Sequence, residues 1–129
     1  MTPKQVVESY SEALGTGDIP KAFSFFSADS KWHQPGNHKF SGTNNHPGET
    51  GEMLTGMMTE TKGTFVIKPT GALMANGSLV AMPVHFTGEN NGRTIDMTGI
   101  DLFEVINEKI TQVWLFSDDQ IKEDEFWGK

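Results

Sequence analysis

The chain has 129 residues, 36% hydrophobic and 21% charged, the make-up of one soluble globular domain over residues 1–129 and not of a disordered segment. Asp and Glu outnumber Lys and Arg 17 to 10, giving a formal charge of -7 that argues against nucleic acid and anionic lipid as partners. There is no cysteine, which excludes disulfides, thiolate chemistry and cysteine zinc sites. No apolar run approaches the roughly 18 residues a membrane helix needs. The N-terminus shows neither the basic flank nor the apolar run of a secretory signal, so a cytoplasmic location is expected.

The first third reads as helical. Thr2 and Pro3 suit a helix start, and Val6, Val7, Tyr10, Ala13 and Leu14 recur on one face before Gly15 and Gly17 stop it. Asp18 caps a second short helix with Pro20 in its first turn and Ala22, Phe23 and Phe26 as its buried stripe. Residues 31–34 read as a short strand ended by Pro35-Gly36, and residues 36–51 as a loop. A third helix follows to about Lys62, with Met53, Leu54, Met57 and Met58 on its apolar face. The remainder is strand-like. Residues 64–75 form a strand broken near Pro69 to Gly71, and Asn76-Gly77 marks a hairpin. Residues 78–88, 94–106 and 109–117 are further strands, separated by Asn90-Asn91-Gly92 and Asn107-Glu108. Residues 118–125 carry five acidic residues and one Lys and read as a solvated polar end. Three helices followed by a meander of antiparallel strands is an α+β pattern.

One strand position breaks its own pattern. Ile95, Met97, Gly99, Asp101, Phe103 and Val105 share a face, so Asp101 stands among apolar neighbours. A carboxyl there is hydrogen-bonded, paired or protonated, because burying a lone charge costs several kcal/mol or more. It is either a structural Asp bonded to backbone or an acid that holds its proton near neutrality. Tyr10, the single tyrosine, lies on an apolar helix face, where its hydroxyl needs a partner. His33 and His85 both fall in strands. An odd-numbered loop between the two strands would put His85 and Asp101 on one face; an even-numbered loop would separate them. The spacing of His33, His38 and His46 matches no compact metal-ligand motif, and no metal site is expected. Phosphate-binding glycine loops, G-x-S-x-G and HExxH are absent, so nucleotide hydrolysis, hydrolase-elbow chemistry and zinc proteolysis have no support.

Two stretches carry a resemblance. The first is Tyr10-Ser-Glu-Ala-Leu-Gly-Thr-Gly-Asp18, then Phe23 to Phe26, Ala28-Asp29 and a strand reaching Pro35-Gly36. The second is Gly99-Ile-Asp-Leu-Phe103, then Lys109-Ile110, Trp114 and Asp118. In order and spacing they resemble the ketosteroid isomerase and SnoaL-like branch of the nuclear transport factor 2-like superfamily. The resemblance implies a curved antiparallel sheet wrapped around three N-terminal helices, a cone with an apolar pocket, and a homodimer formed through the outer sheet face.

The resemblance also implies roles. Tyr10 and Asp101 match the tyrosine and protonated aspartic acid of the isomerase oxyanion hole. The isomerase base is an aspartate directly before a proline; here Gln34 precedes Pro35, and an amide cannot take up a proton. His85 with Asp101 resembles the histidine and aspartate of the SnoaL-like cyclases, which need no cofactor. The reading that follows is a cofactor-free isomerase or cyclase acting on a small apolar carbonyl compound through an enolate. Tyr10 and Asp101 donate, His33 or His85 is the base, Gln34 orients substrate, and Trp32, Met57, Phe103 and Trp114 supply apolar contacts. Two other readings stand beside it: a small-molecule-binding protein without turnover, and a dimerisation or scaffold domain.

Overall fold

A computed structural model describes residues 1–129. Thr2 opens helix α1 (Pro3–Gly15) with a capping box: its Oγ1 accepts from the Gln5 amide at 3.2 Å, and Gln5 Oε1 accepts from the Thr2 amide at 2.9 Å. The predicted apolar face is buried through Val6, Val7, Tyr10 and Ala13. Asp18 caps the short helix α2 (Ile19–Phe23). Strand β1 (Phe26–Gln34) starts five residues before the predicted strand, so Phe26 is a strand residue and not part of a helical stripe. The expected loop at 36–51 contains a short strand, β2 (Gly42–Asn44), and the start of helix α3 (Pro47–Glu60), which buries Met53 and Met57. The predicted broken strand is two, β3 (Val66–Pro69) and β4 (Met74–Asn76), both paired with β5 (Leu79–Asn90). Strands β6 (Arg93–Ile106) and β7 (Lys109–Ser117) complete the sheet.

The seven strands form a curved, unclosed sheet in the order β2-β1-β7-β6-β5-β3, with β4 also on β5. Its concave face is covered by the helices. The expectation of a wholly antiparallel sheet is corrected at one seam, where β1 runs parallel to β7. Short turns fix the antiparallel direction of β5, β6 and β7. No turn joins β1 to β7, so their relative direction is free of that constraint. The β5–β6 turn is Asn91-Gly92, both at positive φ (51° and 83°), the two-residue geometry that matches strand twist.

The chain ends in a helix, α4 (Gln120–Trp127), where a solvated polar segment was expected. Asp119 caps it, and Glu123, Phe126 and Trp127 form a buried stripe at helical spacing. Trp127 meets Phe65 at 5.0 Å and Phe40 at 5.3 Å between ring centroids, so the terminal aromatics close the fold of their own chain. No helix is long and apolar enough to cross a membrane.

Candidate functional site

Strand register decides which side chains reach the interior. Asp101 pairs with Met82, and the row Val80, Met82, Val84 and Phe86 of β5 points inward. On β6, Ile95, Met97, Asp101, Phe103 and Val105 do the same, so Asp101 is buried at 8% exposure. It lies on the wall of a small cavity of about 40 Å³ between the sheet, α3 and α4. Trp32 and Gln34 of β1, Leu54 and Met57 of α3, Phe65, Ile67, Val84 and Phe86, Leu115 to Ser117 of β7, and Glu123 of α4 complete the lining. The wall is mostly apolar, with a few polar groups converging on it, the usual make-up of a small-molecule site. A larger, more open groove of about 780 Å³ beside α2 and α3 offers only Glu52 as a titratable group.

The Asp101 carboxyl makes no hydrogen bond within the chain. Burial pushes its carboxyl up to about 7, and the nearby Glu123 charge adds to the rise. Glu123 is equally enclosed, at 4% exposure, but is well partnered. Its Oε1 accepts from Ser117 Oγ at 2.6 Å and Gln120 Nε2 at 2.9 Å, and its Oε2 from Trp127 Nε1 at 3.4 Å. Gln34 uses its Oε1 to accept from Trp32 Nε1 at 3.0 Å. The cavity therefore offers one carboxyl without a partner beside one held by three donors.

Of the residues predicted from sequence, Asp101, Gln34, Trp32 and Met57 come together on this wall. Tyr10, expected to donate beside Asp101, is not on this wall, which corrects that placement; it packs between Phe26 (ring centroids at 5.3 Å) and Phe103 (5.6 Å). Burial raises its hydroxyl far above the ordinary tyrosine value, with Asp101 as the second cause. Phe103 is wholly buried in the core beside Tyr10 and does not line the cavity, which corrects its assignment as a ligand contact.

Three further placements are corrected. The Asn91-Gly92 turn has two residues, an even loop, so His85 pairs with Thr98 and lies on the outer face, away from Asp101. Its Nε2 meets Asp96 Oδ1 at 2.5 Å, and the pair is exposed. His33 and Trp114 also belong to the outer face. Their rings stack at 5.4 Å, and His33 Nε2 contacts Gln112 Oε1 at 2.9 Å. Neither histidine reaches the cavity as a base, and Trp114 is not on its wall. The other histidines are dispersed: His38 is buried near Trp127, His46 precedes α3, and no group of three metal-ligating side chains occurs.

Sequence reasoning missed Glu123. Its signal was present, since Glu123, Phe126 and Trp127 fall at i, i+3 and i+4, but the surrounding acidic residues mask that stripe.

The model of the SnoaL-like domain family matches residues 7–113. Among solved structures, the chain is similar to a protein of unknown function with a cystatin-like fold from Xanthomonas campestris, at 43% identity, TM-score 0.94 and complete coverage of both chains. It shares its fold with TerC, solved with polyporic acid, at 17% identity and TM-score 0.82 over 97% of this chain and 98% of that one. It also shares it with IdmH of Streptomyces antibioticus, described as a candidate polyketide cyclase, at 18% identity and TM-score 0.72 over 92% of this chain and 93% of that one. No curated protein matches the chain.

Proposed function

The chain belongs to the SnoaL-like domain family, and from that premise we propose that it binds a small apolar, oxygen-bearing molecule in the cone and acts on it as a cofactor-free isomerase or cyclase through an enolate. The observation that carries this reading is Asp101, an unpartnered carboxyl on an apolar cavity wall, pushed up to about 7. Below that pH it holds a proton and can donate it to a carbonyl oxygen. Donation strengthens as the oxygen gains charge, and this differential lowers an enolisation barrier. Trp32 and Phe86 supply flat apolar surfaces that suit a planar ring system, and Met57 an adaptable one. Tyr10 contributes from behind as a positioning residue, buried against the strand that carries Asp101. Enolisation needs only an acid and a base, so no cofactor enters the reading.

The test is a titration with β-naphthol, a planar phenol that mimics an enol, read by absorbance of its ionised form. Wild-type protein is expected to bind it, and Asp101→Asn to bind at least tenfold more weakly. The ionised form needs a protonated Asp101, so its binding is expected to fall as pH rises above 7. Equal binding by both proteins would refute the reading.

A second reading, a binding protein without turnover, is favoured by Gln34. The amide stands before Pro35, where the resembled isomerases hold their base, and it is bonded to Trp32. For partners, we propose a homodimer through the outer sheet face, where Ile100, Leu102, Trp114 and Phe116 adjoin across β6 and β7.

A further inference from the structure

We propose that Glu123, set on the cavity wall by the terminal helix α4, is the base that takes the carbon-bound proton of the substrate, with Asp101 as its acid partner. The proposal rests on the enolate reading given above and names the group which that reading lacks. His33 and His85 are outside the cavity, and Gln34 cannot accept a proton. Glu123 and Asp101 are the two titratable side chains lining this cavity.

The geometry assigns them different work. A carboxylate at 4% exposure is costly unless it is hydrogen-bonded. Ser117, Gln120 and Trp127 all donate to Glu123 and support its charge. The two closer donors both address Oε1. Oε2 receives one longer contact at 3.4 Å, so it keeps acceptor capacity for a proton. Three donors face Glu123 and none faces the Asp101 carboxyl, so of the two it is Asp101 that burial and the neighbouring Glu123 leave holding a proton.

The step balances without a further reactant. The Glu123 carboxylate takes a proton from the carbon beside the carbonyl. The C–H electron pair forms the C=C bond of the enol, and the carbonyl π pair moves to oxygen, which takes the Asp101 proton. In the return step the oxygen gives its proton back to Asp101, and Glu123 delivers its proton to the same carbon or to a conjugated one.

Glu123 also ties α4 to β7 through Ser117, so the test must separate that task from proton transfer. In Glu123→Gln the amide oxygen can still accept from Ser117. The readout is loss of the α-proton signals of β-tetralone in deuterated water, followed by proton NMR, with β-naphthol affinity measured on the same proteins. Wild type is expected to exchange above the buffer rate. Glu123→Gln is expected to lose about 100-fold or more of that rate, as for loss of a general base, while binding β-naphthol within about threefold of wild type. Exchange at equal rates in both proteins would overturn Glu123 as the base and leave the enolate reading standing. Wild type that binds β-naphthol but exchanges nothing would overturn Glu123 as well. Wild type that neither binds nor exchanges would overturn the enolate reading, and this assignment with it. If Glu123→Gln does not fold, Glu123→Asp decides: it keeps the charge but shortens the reach, and an undiminished rate in the folded variant would overturn the proposal.

Discussion

At Asp101 two demands oppose each other: a proton donor facing a ligand must be free of partners, and a buried carboxyl without partners is costly when ionised. The balance has a sign. The folded value, about 7, lies above the ordinary 3.8, so the folded state holds a proton that the unfolded state has released. Stability therefore falls as pH rises from about 4 through 7, by up to roughly 4 kcal/mol once the folded carboxyl is forced to ionise. Asp101→Asn removes this dependence. Thermal denaturation should show the variant and wild type similar near pH 4 and the variant more stable at pH 8; parallel curves at every pH would contradict the assignment. His38 acts in the opposite sense. Burial lowers it, with Glu123 and Asp124 pulling the other way, so its contribution is lost as pH falls below the usual histidine range. Asp101 was legible in the sequence because strand alternation alone places it among Met97, Phe103 and Val105. The side of the sheet taken by His85 was not, because it turns on the parity of one loop.

Among the elements, β6 and β7 meet closely at Gly99. A Cβ there would stand 2.3 Å from the Phe116 carbonyl oxygen and 3.2 Å from Phe86. The obstruction is backbone and cannot swing away, so Gly99→Ala should destabilise by about 1–3 kcal/mol, read as a lower denaturant midpoint with an unchanged slope. Helix α4 holds the other end of the site. Trp127 is fully buried against Phe40, Phe65 and Phe126. Trp127→Ala should cost about 3–5 kcal/mol and weaken β-naphthol binding, because the helix that carries Glu123 loses its anchor. A stability loss below about 1 kcal/mol would contradict that anchoring role. Helix α1 and the β5–β6 hairpin were legible from apolar spacing and the Asn-Gly turn. Helix α4 was not: its acidic residues satisfy the pattern of a solvated end, and only packing against Phe65 shows that two aromatics and a glutamate turn inward.

For the whole molecule, the sheet has two unlike faces. The concave face holds the core and the cavity. The outer face presents Phe116 at 56% and Ile100 at 37% exposure as cross-strand neighbours, beside Trp114. Such a face suits the proposed dimer. Phe116→Lys should then give a folded monomer by sedimentation, and an unchanged mass for wild type and variant would refute that interface. The order of helices and strands in the sequence was enough to expect an α+β fold, since apolar periodicity reports local structure well, and the family resemblance of two stretches supplied the cone. The parallel seam of β1 with β7 lay beyond it, because pairing between distant strands leaves no local trace. The chemistry proposed for the cone depends on one proton held in one cavity. Its most direct test is the carbon-13 shift of the Asp101 carboxyl followed from pH 3 to 9. A midpoint near 7, moving down in Glu123→Gln, is the predicted result. A midpoint near the ordinary aspartate value in wild type would contradict the account.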